Sequence, residues 1–202
     1  MIETLLEWLQ SARYALAVFL VIFLPPAIAW WFLVHPLARF WRRLGPKVGL
    51  TVIGVLYLAA GAALFPLRDL LLVRDLGFRP VLAAAGLPFL VAGMAIALKR
   101  KRHLTTRILV GIPEMSADPA ASKLLDQGIY GRIRHPRYVE FSLAMIGWSL
   151  ILAYLGIYLM TAAILPLLHL IVVLEERELR DRFGPAYAEY AARVPRYLPR
   201  RG

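Results

Sequence analysis

Residues 141–174 carry no aspartate, glutamate, lysine or arginine. A helix needs about 20 apolar residues to cross the hydrocarbon of a bilayer, so this run is too long for one crossing and suits two. Gly156, near its middle, is the natural place for a tight turn between them. The chain is therefore constrained to contain an apolar helical hairpin whose two outer ends lie side by side at one membrane face.

Three further segments, 14–34, 48–67 and 80–98, have the length and apolar character of spans. Pro25 and Pro26 predict a kink or local unwinding in the first of them, and Trp30 with Trp31 predicts an interfacial belt at its end. The expected fold is all-α, with five transmembrane helices and a short C-terminal amphipathic helix. A three-span N-terminal region (1–110) is expected to precede a region of loop, hairpin and C-terminal helices (111–202). The first ten residues include Glu3 and Glu7 and no basic residue, unlike a signal peptide, so the first apolar segment reads as a retained anchor.

Composition agrees. The chain of 202 residues is 60% hydrophobic and carries a formal charge of +11. The basic residues follow the loops. Segments before the first span, between the second and third, and between the fourth and fifth hold 4 Lys and Arg, against 20 in 35–47, 99–137 and 175–202. That bias places the N-terminus outside and the C-terminus inside. It explains the positive charge without nucleic acid, which is not an expected partner. The chain has no cysteine, which removes a disulfide framework and a thiolate nucleophile, and no metal site is expected. Arginine far outnumbers lysine, as in GC-rich bacterial genomes, so a bacterial inner membrane is the expected location, with the polar segments facing the cytoplasm.

Two polar clusters flank the hairpin. The first is "GIYGRIRHPRY", residues 128–138. Pro136 suits the first turn of a helix, where its missing N–H costs nothing. The remaining first-turn N–H groups and the helix dipole, with Arg134, His135 and Arg137 around them, predict a pocket for a carboxylate or phosphate. Gly128 and Gly131 permit the turns before it, and Tyr130 and Tyr138 offer faces for a base or a cation. Read singly, each arginine is a topology flank. The second cluster ends the hairpin as "LEERELRDRFGPAYAEYAARVPRYLP". Glu175 and Glu176 stand where hydrocarbon gives way to water, a costly place for two carboxylates without a cation. Glu176 with Arg180 and Glu178 with Arg182 are i,i+4 pairs and read as a solvated helix face. Gly184 and Pro185 stop one helix and start another, on which Tyr187, Tyr190, Ala191 and Val194 form an apolar stripe. His169 lies one heptad before Glu176, on nearly the same face. The hairpin should bring the two clusters within a few ångströms of each other. An anion hole, paired carboxylates and aromatic faces suit a zwitterionic cation, and both S-adenosylmethionine and a phosphoethanolamine headgroup fit that description.

The two motifs together, G-x-Y-x-x-x-R-H-P-x-Y and E-E-x-x-L-x-x-x-F-G-x-x-Y-x-x-Y, resemble the membrane methyltransferases related to isoprenylcysteine carboxyl methyltransferase and phospholipid N-methyltransferase. Gly128, Tyr130, Arg134, His135, Pro136 and Tyr138 carry the first motif. Glu175, Glu176, Leu179, Phe183, Gly184, Tyr187 and Tyr190 carry the second. The resemblance spans roughly the last 80 residues and implies S-adenosylmethionine as cofactor and methyl transfer to a lipophilic acceptor in the membrane. By position it implies that Tyr130 to Tyr138 line the adenosine side and that Glu175 and Glu176 hold the methionine amino group, with Glu176 favoured because it shares a face with His169. An amine acceptor would need a base, for which His169 is the candidate; a carboxylate or thiolate would not. Glu140 stands where many relatives have a small residue, and no arginine precedes the glutamate pair as in the prenylcysteine enzymes. A non-catalytic membrane protein that keeps the hairpin as a headgroup-binding or interaction module is the competing reading. The polar segment 111–127 reads as a loop that is a candidate substrate-side lid.

Overall fold

The computed structural model describes residues 1–102, 112–116 and 124–200. Its helices are α1 (Ile2–Val34), α2 (Ala38–Leu64), α3 (Arg68–Leu72), α4 (Pro80–Lys101), α5 (Ile112–Met115), α6 (Pro136–Leu152), α7 (Leu155–Phe183) and α8 (Pro185–Arg193). Short 3₁₀ turns cover Phe65–Leu67 and Gly128–Gly131, and no strand occurs among the described residues. Among the described residues four helical segments are long and apolar enough to cross a membrane: Leu6–Val34, Ala38–Leu72, Pro80–Lys101 and Leu155–Phe183. The fifth expected span, α6, has 17 residues and falls just short of that length.

The boundaries depart from expectation where the chain bends. α1 starts well before residue 14 and continues as helix through Pro25 and Pro26. α2 is broken instead at Gly45, whose φ of 78° admits no ordinary side chain; Pro46 then opens the apolar part. Of the segment 111–127, residues 112–116 and 124–127 are described and the rest lies outside the described residues. Met115 within it is fully buried, in a cluster with Val34, Trp41 and Ile53. At least this part of the segment is anchored beneath α2.

The hairpin turn lies at Ala153 and Tyr154, not at Gly156. Ala153 closes α6 in the left-handed conformation, and Tyr154 caps α7. Gly156 sits in the first turn of α7 for a different reason: the backbone of Leu71 and Leu72 presses directly on its Cα. α6 packs along α4 more extensively than any other helix pair does. That contact depends on Gly86 and Gly147: a Cβ on Gly86 would come within 2.6 Å of the Gly147 carbonyl oxygen, and one on Gly147 within 2.7 Å of Leu90. Small residues that let backbones meet are the usual device for packing helices in lipid, where no hydrophobic force draws them together.

At the turn end of the hairpin, Arg13 holds three parts of the chain. Its guanidinium donates to the Leu152 carbonyl at 2.6 Å and to both oxygens of Asp75 at 2.8 and 2.6 Å, and lies 4.9 Å from the Tyr154 ring centroid. Burial pushes the Asp75 carboxyl up, but the Arg13 hydrogen bond and the Gly77 N–H outweigh it and hold it below the usual range. Arg13 is buried whereas the Asp75 side chain is 45% exposed, so solvent screens part of this pair. Arg13→Ala is expected to destabilise the protein by about 2 kcal/mol, mostly through the unpaired Leu152 carbonyl. Thermal unfolding in detergent checks this; an unchanged midpoint would rule out the clamp.

Candidate active site

The first motif is held in place by the end of the chain. Pro136 opens α6 with His135 as its N-cap, and Gly128 supplies a φ of 59° for the turn before it. The backbone N–H groups of Arg134 and His135 donate to the carbonyls of Pro195 and Arg196 at 2.8 and 3.0 Å. The N–H groups of Tyr138 and Val139 return to the His135 carbonyl. The donors expected to form an anion hole are thus largely engaged inside the protein. α8 adds a second tie. Its tyrosine stripe turns inward, with Tyr187, Tyr190 and Val194 buried against Leu179 and Phe183, and the Tyr190 hydroxyl donates to the Tyr130 carbonyl at 2.7 Å. The helix therefore packs on the protein, and burial pushes the Tyr187 phenol up to about 12.

Glu176 is the hub of the cluster. It is completely buried and is bonded by three arginines and the His135 imidazole. Arg134 Nη2 lies at 2.7 Å, Arg196 Nη2 at 2.8 Å and Arg180 Nη2 at 3.3 Å. His135 Nε2 is 3.1 Å from Oε1. Arg134 spends its remaining donors on the carbonyls of Ala191 and Val194. The two motifs therefore meet across the hairpin as their sequence predicts, and the run 175–182 is less solvated than its i,i+4 spacing suggests. Glu178 is buried too, bound by Arg42 at 2.7 Å and Arg182 at 3.4 Å.

Glu175 has a different environment. Its Oε2 is buried and has no close hydrogen-bond partner among the described residues, while the Tyr138 hydroxyl engages the carboxyl and His135 Nδ1 lies 3.8 Å away. Tyr138 is buried beside His135, with ring centroids 5.8 Å apart. Arg137 lies over the Trp31 ring at 3.8 Å, so Trp31 joins the protein interior and does not act only as a lipid-facing belt. A carboxylate with an unfilled oxygen, bordered by aromatic faces, can hold an ammonium group and suits a sulfonium nearby.

Next to this region a cavity of about 260 Å³ opens between α6 and α7. Tyr138, Ser142, Leu168, His169, Tyr197 and Leu198 are among its lining residues. His169 is exposed, and its Nδ1 shares a hydrogen bond of 2.7 Å with the Tyr197 hydroxyl. His169 bonds Tyr197 and, among the described residues, not Glu176; the Tyr197 ring centroid lies 5.9 Å from that of His169 and 6.3 Å from that of His135. Glu140 forms a two-pronged ion pair with Arg100 at 2.6 and 3.1 Å, tying α6 to α4. Sequence reasoning missed Arg196, Tyr197 and His35. The first two lie in the "VPRY" end, where an arginine and a tyrosine beside a proline were the available signal.

Residues 82–186 match the family model described as phospholipid methyltransferase. That interval begins in α4, includes the first motif and the second as far as Gly184, and stops at the first turn of α8, before Tyr187 and Tyr190. No curated protein and no solved structure matches the chain.

Proposed function

The chain belongs to the phospholipid methyltransferase family, and on that premise we propose that it transfers a methyl group from S-adenosylmethionine to the amine of a lipid. The observation that carries this reading is the meeting of the two motifs at one end of the hairpin. There Glu175, engaged by Tyr138 and close to His135, keeps one buried oxygen without a close donor. That unfilled acceptor fits the cofactor's ammonium group. Glu176, enclosed by its own cations, is read as the organiser that fixes Arg134 and His135, and Gly128, Tyr130 and Pro136 as the frame that aims the segment. When bound, S-adenosylmethionine supplies a methyl group already activated on a sulfonium sulfur.

The protein's own task is then alignment and proton removal. A lipid ammonium is not a nucleophile until it loses a proton. His169, at the wall of the cavity, is positioned to take it, with Tyr197 fixing the imidazole through Nδ1. The amine lone pair so exposed would then be free to take the methyl group that the cofactor supplies. A carboxylate or thiolate acceptor would leave His169 without a use, which favours the amine. Glu140 supported a non-catalytic module, but Arg100 engages it as a helix tie.

We further propose that α6 is a fifth span. Its 17 residues reach about 26 Å, close to the hydrocarbon thickness, and the charge bias puts the site on the cytoplasmic side of an inner membrane. Calorimetry on the detergent-purified protein tests the cofactor: Glu175→Gln is expected to weaken S-adenosylmethionine binding by about 10- to 100-fold, the usual worth of a charge-assisted hydrogen bond. Folded protein that binds no S-adenosylmethionine would sink the proposal. His169→Ala should lower turnover of an amine lipid by about a hundredfold or more. Unchanged turnover would remove the base.

A further inference from the structure

His35 lies in the short link between α1 and α2, far in sequence from either motif and outside the interval that matches the family. It is 4% exposed, and neither ring nitrogen has a hydrogen-bond partner among the described residues. Leaving both nitrogens of a buried imidazole unsatisfied costs free energy comparable to lost hydrogen bonds, so a histidine kept in that state points to a group that completes it. Its surroundings show which. The His35 ring stacks on Trp31 at 5.3 Å, and Arg137, two residues beyond His135, lies over the same indole. The charged groups facing it are Glu175 and Arg182 from α7, with Arg137 and His135 from the start of α6. Glu175 is itself the carboxylate with a buried oxygen that lacks a donor. An imidazole with two unsatisfied nitrogens and a carboxylate with one unsatisfied oxygen thus belong to the same cluster, each within the other's electrostatic reach.

We infer that His35 is a binding residue of the candidate site, accepting a hydrogen bond from the ammonium group of S-adenosylmethionine whose charge is met by Glu175. The inference rests on the cofactor reading above and deepens it: the N-terminal three-span region completes the amino-acid end of the site. An ammonium group has three N–H donors, and a neutral imidazole with one bare nitrogen supplies an acceptor that a second carboxylate would supply only with surplus negative charge. Burial lowers the His35 imidazole to about 4, against a smaller upward pull from Glu175, so it stays neutral at cytoplasmic pH and keeps that acceptor. The same property makes it a poor proton acceptor and separates its role from that of His169.

The test compares two probes on the full chain in detergent, by equilibrium dialysis. S-Adenosylhomocysteine carries the amino-acid end, and 5′-methylthioadenosine lacks it. The wild type is expected to prefer the former. His35→Phe retains the stack on Trp31 and removes both nitrogens; it should cut affinity for S-adenosylhomocysteine about tenfold or more, leave 5′-methylthioadenosine unchanged, and so erase most of the preference. His35→Gln keeps an acceptor and should restore part of it. Combined with Glu175→Gln, His35→Phe should add little, because one ammonium is shared between both groups. A His35→Phe variant with full preference, or one that weakens both probes equally, overturns the inference. Should His35→Phe fail to fold, His35→Gln and His35→Asn decide the question by the same ratio, with full preference in both again overturning it. A wild type that binds neither probe defeats the cofactor reading itself and is thereby distinguished from failure of the His35 assignment alone.

Discussion

Glu176→Ala is expected to lose stability before it loses anything else. The carboxylate has no exposed surface and accepts from Arg134, Arg180, Arg196 and His135. The three arginines do not respond alike to its removal. Arg180 and Arg196 are 52% and 40% exposed and can turn into water, so their pairs with Glu176 are discounted for screening. Arg134 is 9% exposed and is pinned by the carbonyls of Ala191 and Val194, so its charge stays inside without a counter-ion. Breaking a buried pair from one side costs about 3–5 kcal/mol. For a chain of this size that lowers the unfolding midpoint by on the order of 10 °C.

Three comparisons separate this structural effect from a direct role in binding. Arg180→Ala removes an exposed partner and should shift the midpoint by less than about 2 °C, since such pairs contribute at most about 0.5 kcal/mol. Glu176→Gln keeps the shape and some acceptor capacity and should fall between wild type and Glu176→Ala. Glu175→Gln should leave the midpoint nearly unchanged while weakening S-adenosylmethionine. A Glu176→Ala protein that melts like the wild type yet binds no S-adenosylmethionine would reverse the division of roles between the two glutamates.

The proposed division rests on packing that the sequence does not display. Each carboxylate is visible in the sequence, and so is the hairpin that carries both of them to the segment around His135. Pattern reasoning favoured Glu176 because seven residues bring a helix nearly back to the same face, which puts it in line with His169. Adjacent residues on a helix differ by about 100°, and which direction faces the chain's C-terminal end is fixed by tertiary packing. Glu176 meets Arg134, Arg196 and His135 Nε2, whereas Glu175 lies nearer His135 Nδ1. Arg196 and Tyr197 carried too little local pattern to mark them, because they act through a link that folds back on the motif by two backbone hydrogen bonds. His35 had no local signal at all. It looks like a loop residue between two spans, and the neighbours it meets, Trp31, Arg137 and Glu175, come from three different helices. Even α6 was placed correctly at its start, since Pro136 is a local signal, and misplaced at its end, where the sequence offers Gly156 but the chain turns at Ala153.

Gly156→Ala should disrupt the hairpin, by a mechanism opposite to loss of a turn glycine. The residue has ordinary helical backbone in α7, so conformational freedom is not what it supplies. An added methyl would overlap the Leu71 carbonyl oxygen and come within 2.8 Å of the Leu72 carbonyl carbon. Backbone on that side has little room to yield. Arg74 accepts from Leu155 N at 2.9 Å, Leu76 donates to Ala153 O at 3.0 Å, and Arg13 holds Asp75 just beyond. Overpacking against fixed backbone costs about 1–3 kcal/mol and more where nothing relaxes, and this site is at the upper end. Relief requires α7 to slide or tilt at its first turn. α7 is one continuous helix from Leu155 to Phe183, so that displacement is carried to Glu175 and Glu176 about 30 Å away. The expected result is a midpoint lower by several degrees together with weaker S-adenosylmethionine binding, although the substitution lies at the far end of the helix. Gly54→Ala provides the control: it lies within α2 with open space around its Cα, and there alanine should be neutral or stabilising by up to about 1 kcal/mol. Equal stability and equal binding in the Gly156→Ala and Gly54→Ala proteins would mean that the close approach of α7 to Leu71 does not set the position of the site.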